Sequence, residues 1–134
     1  MSRIRHSAVG WEWEKGWSVT QGTLAGDYLW LAGQTAMDSD GTVVGEGDWE
    51  VQVRKVFSNI AETLAVFEAQ MEDVVHLTQY FVPVMSEEMI QAFWAVRREF
   101  FSVQAPSSTG IQVAGLAKPE MLLEVEAVAF VGGR

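Results

Sequence analysis

Between Trp49 and Met71 the apolar residues Trp49, Val53, Val56, Phe57, Ile60, Leu64, Phe67 and Met71 recur every three or four positions, with Arg54, Ser58 and Glu62 on the opposite side. That period predicts a helix whose aromatic stripe packs on a sheet, with Asp48 as its N-cap. A second helix is predicted after Ser86, which caps it, with Glu87 and Glu88 in its first turn where they complement the helix dipole. Met89, Phe93, Val96 and Phe100 form its apolar stripe, widened by Ile90, Trp94 and Phe101. Arg97-Arg98 lies near its C-terminal end, where cations are favoured without any ligand.

Elsewhere the period shortens to two, which predicts strands. The alternation Trp11-Glu12-Trp13-Glu14 suits an edge strand or extended arm, and Trp17 to Gly22 suits a short strand. A turn at Ala25-Gly26-Asp27 leads into a central strand from Tyr28 to Gln34, and Asp38-Ser39-Asp40-Gly41 forms a tight turn before a short strand at Thr42-Val43-Val44. Val74 to Val82 is a strand closed by Pro83, with His76, Thr78 and Tyr80 on one face and Val75, Leu77, Gln79 and Phe81 on the other. Ala105 to Gly110 is a turn-forming cluster, Ile111 to Leu116 a strand, Ala117 to Glu120 a turn, and Met121 to Val131 the last strand. A helix followed by a strand, seen twice, places both helices on one face of a single mixed sheet, an α+β arrangement within one domain over residues 1–134.

The last strand carries candidate chemistry. Alternation puts Leu123, Val125, Ala127 and Ala129 on one face and Leu122, Glu124, Glu126 and Val128 on the other. The two carboxylates then stand roughly 6–7 Å apart at ~3.3 Å rise per residue. They are either a solvated outer face or a pair sharing a pocket in which one pKa is pushed up. Gly33, near the end of the central strand, allows a close backbone approach, and exposed amides there can bind a carboxylate.

Composition removes several classes. With no cysteine, disulfides, thiolate metal sites and a Cys nucleophile are excluded, and two histidines far apart in sequence, His6 and His76, offer neither a Ser-His-Asp set nor a His-rich metal site. No metal or cofactor is expected. A net charge of −9 opposes a nucleic-acid surface, which needs phosphate-neutralising Lys and Arg. The basic N-terminus is not followed by the apolar core of a signal peptide and no window approaches 18 apolar residues, so a cytoplasmic protein without a membrane partner is expected.

Three stretches taken together carry a likeness: Ala32-Gly33-Gln34; then Ala105-Pro106 followed by Thr109 and Ile111-Gln112-Val113-Ala114-Gly115-Leu116; then Leu123-Glu124-Val125-Glu126-Ala127-Val128-Ala129. The chain resembles the Rid family, also called YjgF/YER057c/UK114, from about Trp17 to Phe130. The resemblance implies a chorismate-mutase-like α+β subunit that forms a homotrimer with ligand clefts between neighbouring subunits, and an activity of hydrolytic imine and enamine deamination. It also implies that the first acid of the Glu-x-Glu pair, here Glu124, positions the attacking water. The family's endoribonuclease label is not carried over, because no basic stripe accompanies it.

The chain departs from the family at matched positions. The Arg with which active relatives grip a substrate carboxylate falls at Ser108, a Tyr falls at Val19, and an Asn falls at Trp94. A guanidinium binds a carboxylate bidentately, whereas a Ser hydroxyl offers one neutral hydrogen bond, a difference of a few kcal/mol for any carboxylate-bearing substrate. The expected function is deamination of a small imine that is neutral, aromatic or cationic, with Glu124 orienting water, Gly33 lending backbone contact, and Ser108, Thr109, Val19 and Trp94 as substrate-binding positions. The alternative is a non-catalytic small-molecule-binding or accessory trimer. A cation from elsewhere, such as Arg97, Lys118 or Lys15, is expected to reach the Ser108 cleft in place of the missing Arg.

Overall fold

At the centre of the sheet runs the strand with the strongest alternation. In the structure, a computed structural model that describes residues 3–133, this strand is flanked by one neighbour from each half of the chain. In chain order the strands are β1 (Ile4–Ser7), β2 (Gly22–Ala25), β3 (Tyr28–Leu31), β4 (Val74–Phe81), β5 (Ser107–Gln112) and β6 (Leu123–Phe130), and the helices are α1 (Trp49–Val66) and α2 (Glu87–Phe100). They form one mixed sheet in the order β1-β2-β3-β6-β4-β5, antiparallel throughout except for the parallel β4–β5 pair.

Alternation along β6 is as predicted: Leu123, Val125, Ala127 and Ala129 are buried against the helices while Glu124 and Glu126 face the other way. Both helices pack on that one face, where Val53, Val56, Phe57, Ile60 and Leu64 of α1 and Phe93 and Val96 of α2 share a core with Leu29, Leu77 and Val125. The N-cap of each helix is also as predicted, Asp48 Oδ1 accepting from the Val51 N–H at 3.1 Å and Ser86 Oγ from the Met89 N–H at 3.1 Å. α1 ends earlier than its apolar period: Glu68 takes a positive φ of 58°, and Met71 falls in a separate single turn of 3-10 helix, Met71–Asp73.

Several predicted strands are corrected. Trp11 to Glu14 is a 3-10 turn, Glu12–Glu14, because the Glu14 carboxylate accepts from the backbone N–H groups of Val9 and Trp11, at 3.2 Å each, and folds the segment back. The Trp11 and Trp13 rings then stack, and Trp17 meets Trp13 edge-on. Residues 17–21 form no strand, and pairing begins at Gly22. The central strand stops at Leu31, although Gln34 still exchanges both backbone hydrogen bonds with Val125, at 2.8 and 3.0 Å. At Thr42-Val43-Val44 only Val43 pairs, in a single bridge to Met37.

Two corrections concern pairing. A bulge between Val74 and His76 turns Val75 out of the alternation, so it is exposed while Val74 and Leu77 are buried. The cluster predicted as a turn contains the start of β5, whose Ser107, Ser108 and Thr109 pair with His76, Leu77 and Thr78, and the strand predicted over Ile111 to Leu116 ends at Gln112, with β4 between β5 and β6 in the sheet. No helix among the described residues is long and apolar enough to cross a membrane.

Two buried amides fasten the loops around the site. Asn59 Nδ2 of α1 donates to the carbonyls of Thr35 and Met37 at 2.9 and 2.8 Å, which fixes the segment following Gly33. Gln52 Nε2 donates to the Glu120 carbonyl at 2.7 Å while its Oε1 accepts from the Leu122 N–H at 2.9 Å, holding the entry to β6.

Candidate functional site

Because neighbouring residues of β6 point to opposite faces, the strand divides two cavities. Leu123 lines one and Glu124 lines the other.

The Glu124 crevice, about 100 Å³, lies between the Trp13-Trp17 corner, the chain at Gly33-Gln34-Thr35 and Met121. Burial pushes the Glu124 carboxyl above its ordinary pKa, and the neighbouring Glu126 charge pushes it further the same way. Glu126 is itself held by the Tyr80 hydroxyl, which donates to its Oε1 at 2.5 Å, and that bond raises the phenol's own pKa. The pair predicted from sequence is therefore asymmetric: Glu126 is tied to a phenol on β4, and Glu124, whose pKa is raised, has no hydrogen-bond partner of that kind.

Gly33 is required where it stands by space, since a Cβ there would overlap the Glu124 carboxyl. Gly33→Ala should swing that carboxyl out of the crevice and bring its pKa back towards 4.5 in a carboxylate-detected NMR titration. Glu is flexible and the Gly33 backbone is not left-handed, so fold stability should change by less than ~1 kcal/mol. An unchanged Glu124 titration would show that the contact does not hold the carboxyl in place.

The second cavity, about 360 Å³, opens between α2, β4 and β5. Its walls are mainly apolar and include Phe81, Phe93 and Trp94, and its floor carries Gln79 and Ser108. Beneath that floor lies Arg97, only 4% exposed. Its Nη1 donates to Gln79 Oε1 at 2.8 Å and Ser108 Oγ at 2.9 Å, and its Nη2 donates to the Pro106 carbonyl at 3.0 Å. Its guanidinium carbon stands 5.0 Å from the Trp94 ring centre and 5.7 Å from that of Phe101. Burial lowers its pKa from the usual very high value without neutralising it.

Of the predicted site residues, the structure brings Gly33 and Glu124 together in one cavity and Ser108 and Trp94 together in the other. Thr109 stands beside Thr78 in the register, off the Ser108 cavity, and Val19 borders a shallow depression with His6, Trp17 and Thr23. Among the three candidate cations, Arg97 reaches Ser108, but from behind the cavity wall. Lys118 binds the Gly41 carbonyl at 2.9 Å, and Lys15 pairs with Glu12 at 2.9 Å. His76 is held by Ser107 across the β4–β5 pair at 2.9 Å. No group of three His, Cys, Asp or Glu that could hold a metal ion occurs among the described residues.

Gln79 had not been singled out as a site residue, and Arg97 only as one of three candidate cations, although the sequence carried a signal for each. Gln79 is a polar residue on the otherwise apolar face of β4, and Arg97 falls four residues after Phe93, on the buried stripe of α2.

A mixed sheet backed on one face by two helices, with a Glu-x-Glu strand at its middle, defines a small chorismate-mutase-like α+β protein. The chain belongs to the Rid (YjgF/YER057c/UK114) family, for residues 15–131 match the family model described as Endoribonuclease L-PSP. It is 29% identical over 111 residues to a RutC family protein of Pyrococcus horikoshii, covering 83% of this chain and 85% of that one. Its fold superposes on Rv2704 of Mycobacterium tuberculosis, a member of the YjgF/YER057c/UK114 family, with a TM-score of 0.79 at 23% identity, over 96% of this chain and 99% of that one. PA3499 of Pseudomonas aeruginosa superposes with a TM-score of 0.80 at 23% identity, over 98% and 95% of the two chains.

Proposed function

We propose that this protein hydrolyses small reactive imines or enamines to a carbonyl compound and ammonia, in clefts closed by copies of the same chain arranged as a trimer. The observation that carries the reading is the Glu124 carboxyl, half-buried beside Gly33 with its pKa raised, in a crevice large enough for a water and the reacting end of a substrate. Water adds to the carbon of C=N as Glu124 removes one of its protons. The nitrogen takes up protons, the C–N bond breaks, and ammonia leaves behind a C=O group. Family membership supports the scaffold. The substrate differs from an amino-acid-derived imine because Ser108 stands where active relatives carry the carboxylate-gripping Arg.

A trimer is supported by the sheet face opposite the helices, which leaves Trp30, Tyr28, Val75, Ile111 and Phe130 exposed beside the two glutamates. Subunits joined along that face would bring the Ser108 side of one copy towards the Glu124 side of the next. The net charge of −9 gives no support to a nuclease reading.

A second reading, a non-catalytic binding or accessory trimer, is favoured by the engaged state of Arg97, which leaves neutral groups to line the Ser108 cavity. Ammonia release from freshly generated imines, some lacking a carboxylate and some derived from neutral and acidic amino acids, decides between the two. The hydrolytic reading expects acceleration on the carboxylate-free neutral or aromatic imines and little on the amino-acid-derived ones. Decay at the uncatalysed rate for every imine would leave the binding reading.

A further inference from the structure

We infer that the Glu124 crevice takes its ligand by a positively charged, N–H-bearing end, selected by the rings of Trp13 and Trp17 together with the side-chain oxygens of Gln34, Asn59 and Glu124. Naming that end as the protonated C=N of an iminium rests on the hydrolytic reading, whereas the preference for a cation does not.

The amide side chains of the crevice have spent their donors. Gln34 and Asn59 both line it, and both are buried. Gln34 Nε2 gives its two hydrogens to Gln21 Oε1 at 2.7 Å and the Ala32 carbonyl at 3.2 Å. Asn59 Nδ2 gives its two to the carbonyls of Thr35 and Met37. A carbonyl can only accept, so neither amide can turn over, and each has only its oxygen left to offer a ligand. Glu124 adds a carboxyl, and the Thr35 hydroxyl can serve in either sense. The lining holds no Lys, Arg or His, while Lys15 and Lys118 are engaged by Glu12 and by the Gly41 carbonyl. A carboxylate would meet these oxygens as acceptor against acceptor, whereas an iminium or ammonium brings the N–H groups they lack.

The aromatic corner supplies the second argument. Trp17 meets Trp13 edge-on, with ring centres 5.4 Å and ring planes 73° apart, so the two build adjoining walls of the crevice. Trp13 Nε1 is enclosed and has no hydrogen-bond partner among the described residues. What Trp13 shows to the crevice is therefore ring carbon and not a donor that would repel a cation. A buried N–H left unpaired is costly, so the position is better explained by the electron-rich face of the indole than by its hydrogen bonding.

Size and field agree with a small cation. About 100 Å³ holds roughly three or four non-hydrogen atoms at ~30 Å³ for a water, enough for a C=N group and the atoms attached to it. The net charge of −9 raises the local concentration of cations. Hydrolysis of an iminium here balances as iminium plus water giving a carbonyl and ammonium. The water oxygen bonds to carbon, Glu124 carries a water proton to nitrogen, and nitrogen leaves with the electron pair of the C–N bond.

Acetamidinium and acetamide share a planar frame and differ in charge, and neither is consumed during a titration. Followed through the indole N–H signals of Trp13 and Trp17 in NMR spectra of the full chain at pH 7.5, acetamidinium should bind saturably and acetamide at least about tenfold more weakly. Trp17 is 57% exposed, so Trp17→Leu should fold, as thermal melting checks, and should weaken acetamidinium about three- to tenfold, with Trp17→Phe recovering part of the loss. Acetamide binding as tightly as acetamidinium, no saturation by acetamidinium, or unchanged affinity in folded Trp17→Leu would each overturn the assignment. Since the titration needs no turnover, acetamidinium binding without ammonia release from any imine would sink only the hydrolytic reading, and ammonia release with no preference for acetamidinium would sink only this one.

Discussion

Glu124→Gln should release ammonia from a hydrolysable imine at least about 100-fold more slowly than the parent chain, the lower end of what a positioned general base contributes. The amide keeps the shape and can still accept a hydrogen bond from water, but it cannot take a proton from it. In the parent the carboxyl ionises above its ordinary 4.5, through burial first and the Glu126 charge second. The rate should therefore rise with pH as the carboxylate forms, and this limb should vanish in the variant. Stability should move in the opposite sense. A carboxyl whose pKa is raised by folding favours the folded state below its unfolded pKa, and that contribution is lost as pH rises through the folded value. The variant should thus melt above the parent at pH 7–8, and the two should converge near pH 4. An unchanged rate would remove Glu124 as the base, and an unchanged melting difference across that range would remove the claim that folding perturbs it.

Arg97→Met should destabilise the fold by ~3 kcal/mol, or about 10 °C in Tm for a chain of this length. Two effects oppose each other. Removing a buried charge relieves its desolvation, and methionine refills much of the space between Trp94 and Phe101. Against that, Gln79 Oε1, Ser108 Oγ and the Pro106 carbonyl lose their donor together, and an acceptor left buried and unpaired costs about 1–3 kcal/mol. The second effect wins because three groups are orphaned at once. Arg97→Lys should recover part of the loss, since an ammonium can serve some of those acceptors but not all three from one planar fork. Chemical denaturation of the three chains checks this, and a change below ~1 kcal/mol for the methionine variant would mean that the loop at Pro106 is held by other contacts.

What could be read from the sequence follows the reach of the interactions concerned. The two helices and the faces of β6 were legible because periodicity is local and strong, and one side of each element is buried. Trp11-Glu12-Trp13-Glu14 misled because its alternation is real, yet the Glu14 carboxylate captures two backbone N–H groups upstream and closes a turn. Ala105 to Gly110 misled because its residues favour turns, while a strand there is templated by β4, some 30 positions earlier in the chain. Parallel pairing of that kind leaves no mark in a short window.

The site was legible to the same extent. Glu124 and Gly33 were identified together, and the structure does seat one against the other. Arg97 was weighed as a solvated helix-end charge and as a substitute cation, and it proved to be buried while reaching Ser108. Its side chain curls under β5 towards a carbonyl contributed by a loop, and that geometry depends on tertiary packing alone.

The pleat of β6 sets a strict condition on how this gene can change. Inserting or deleting one codon between Met121 and Glu124 would rotate the whole strand by half a turn, directing both carboxylates into the helices and Leu123 and Val125 outward. Point substitutions can reshape either hollow separately, but a length change in this stretch would invert both at once, so diversification of the binding surfaces is confined to side-chain exchange.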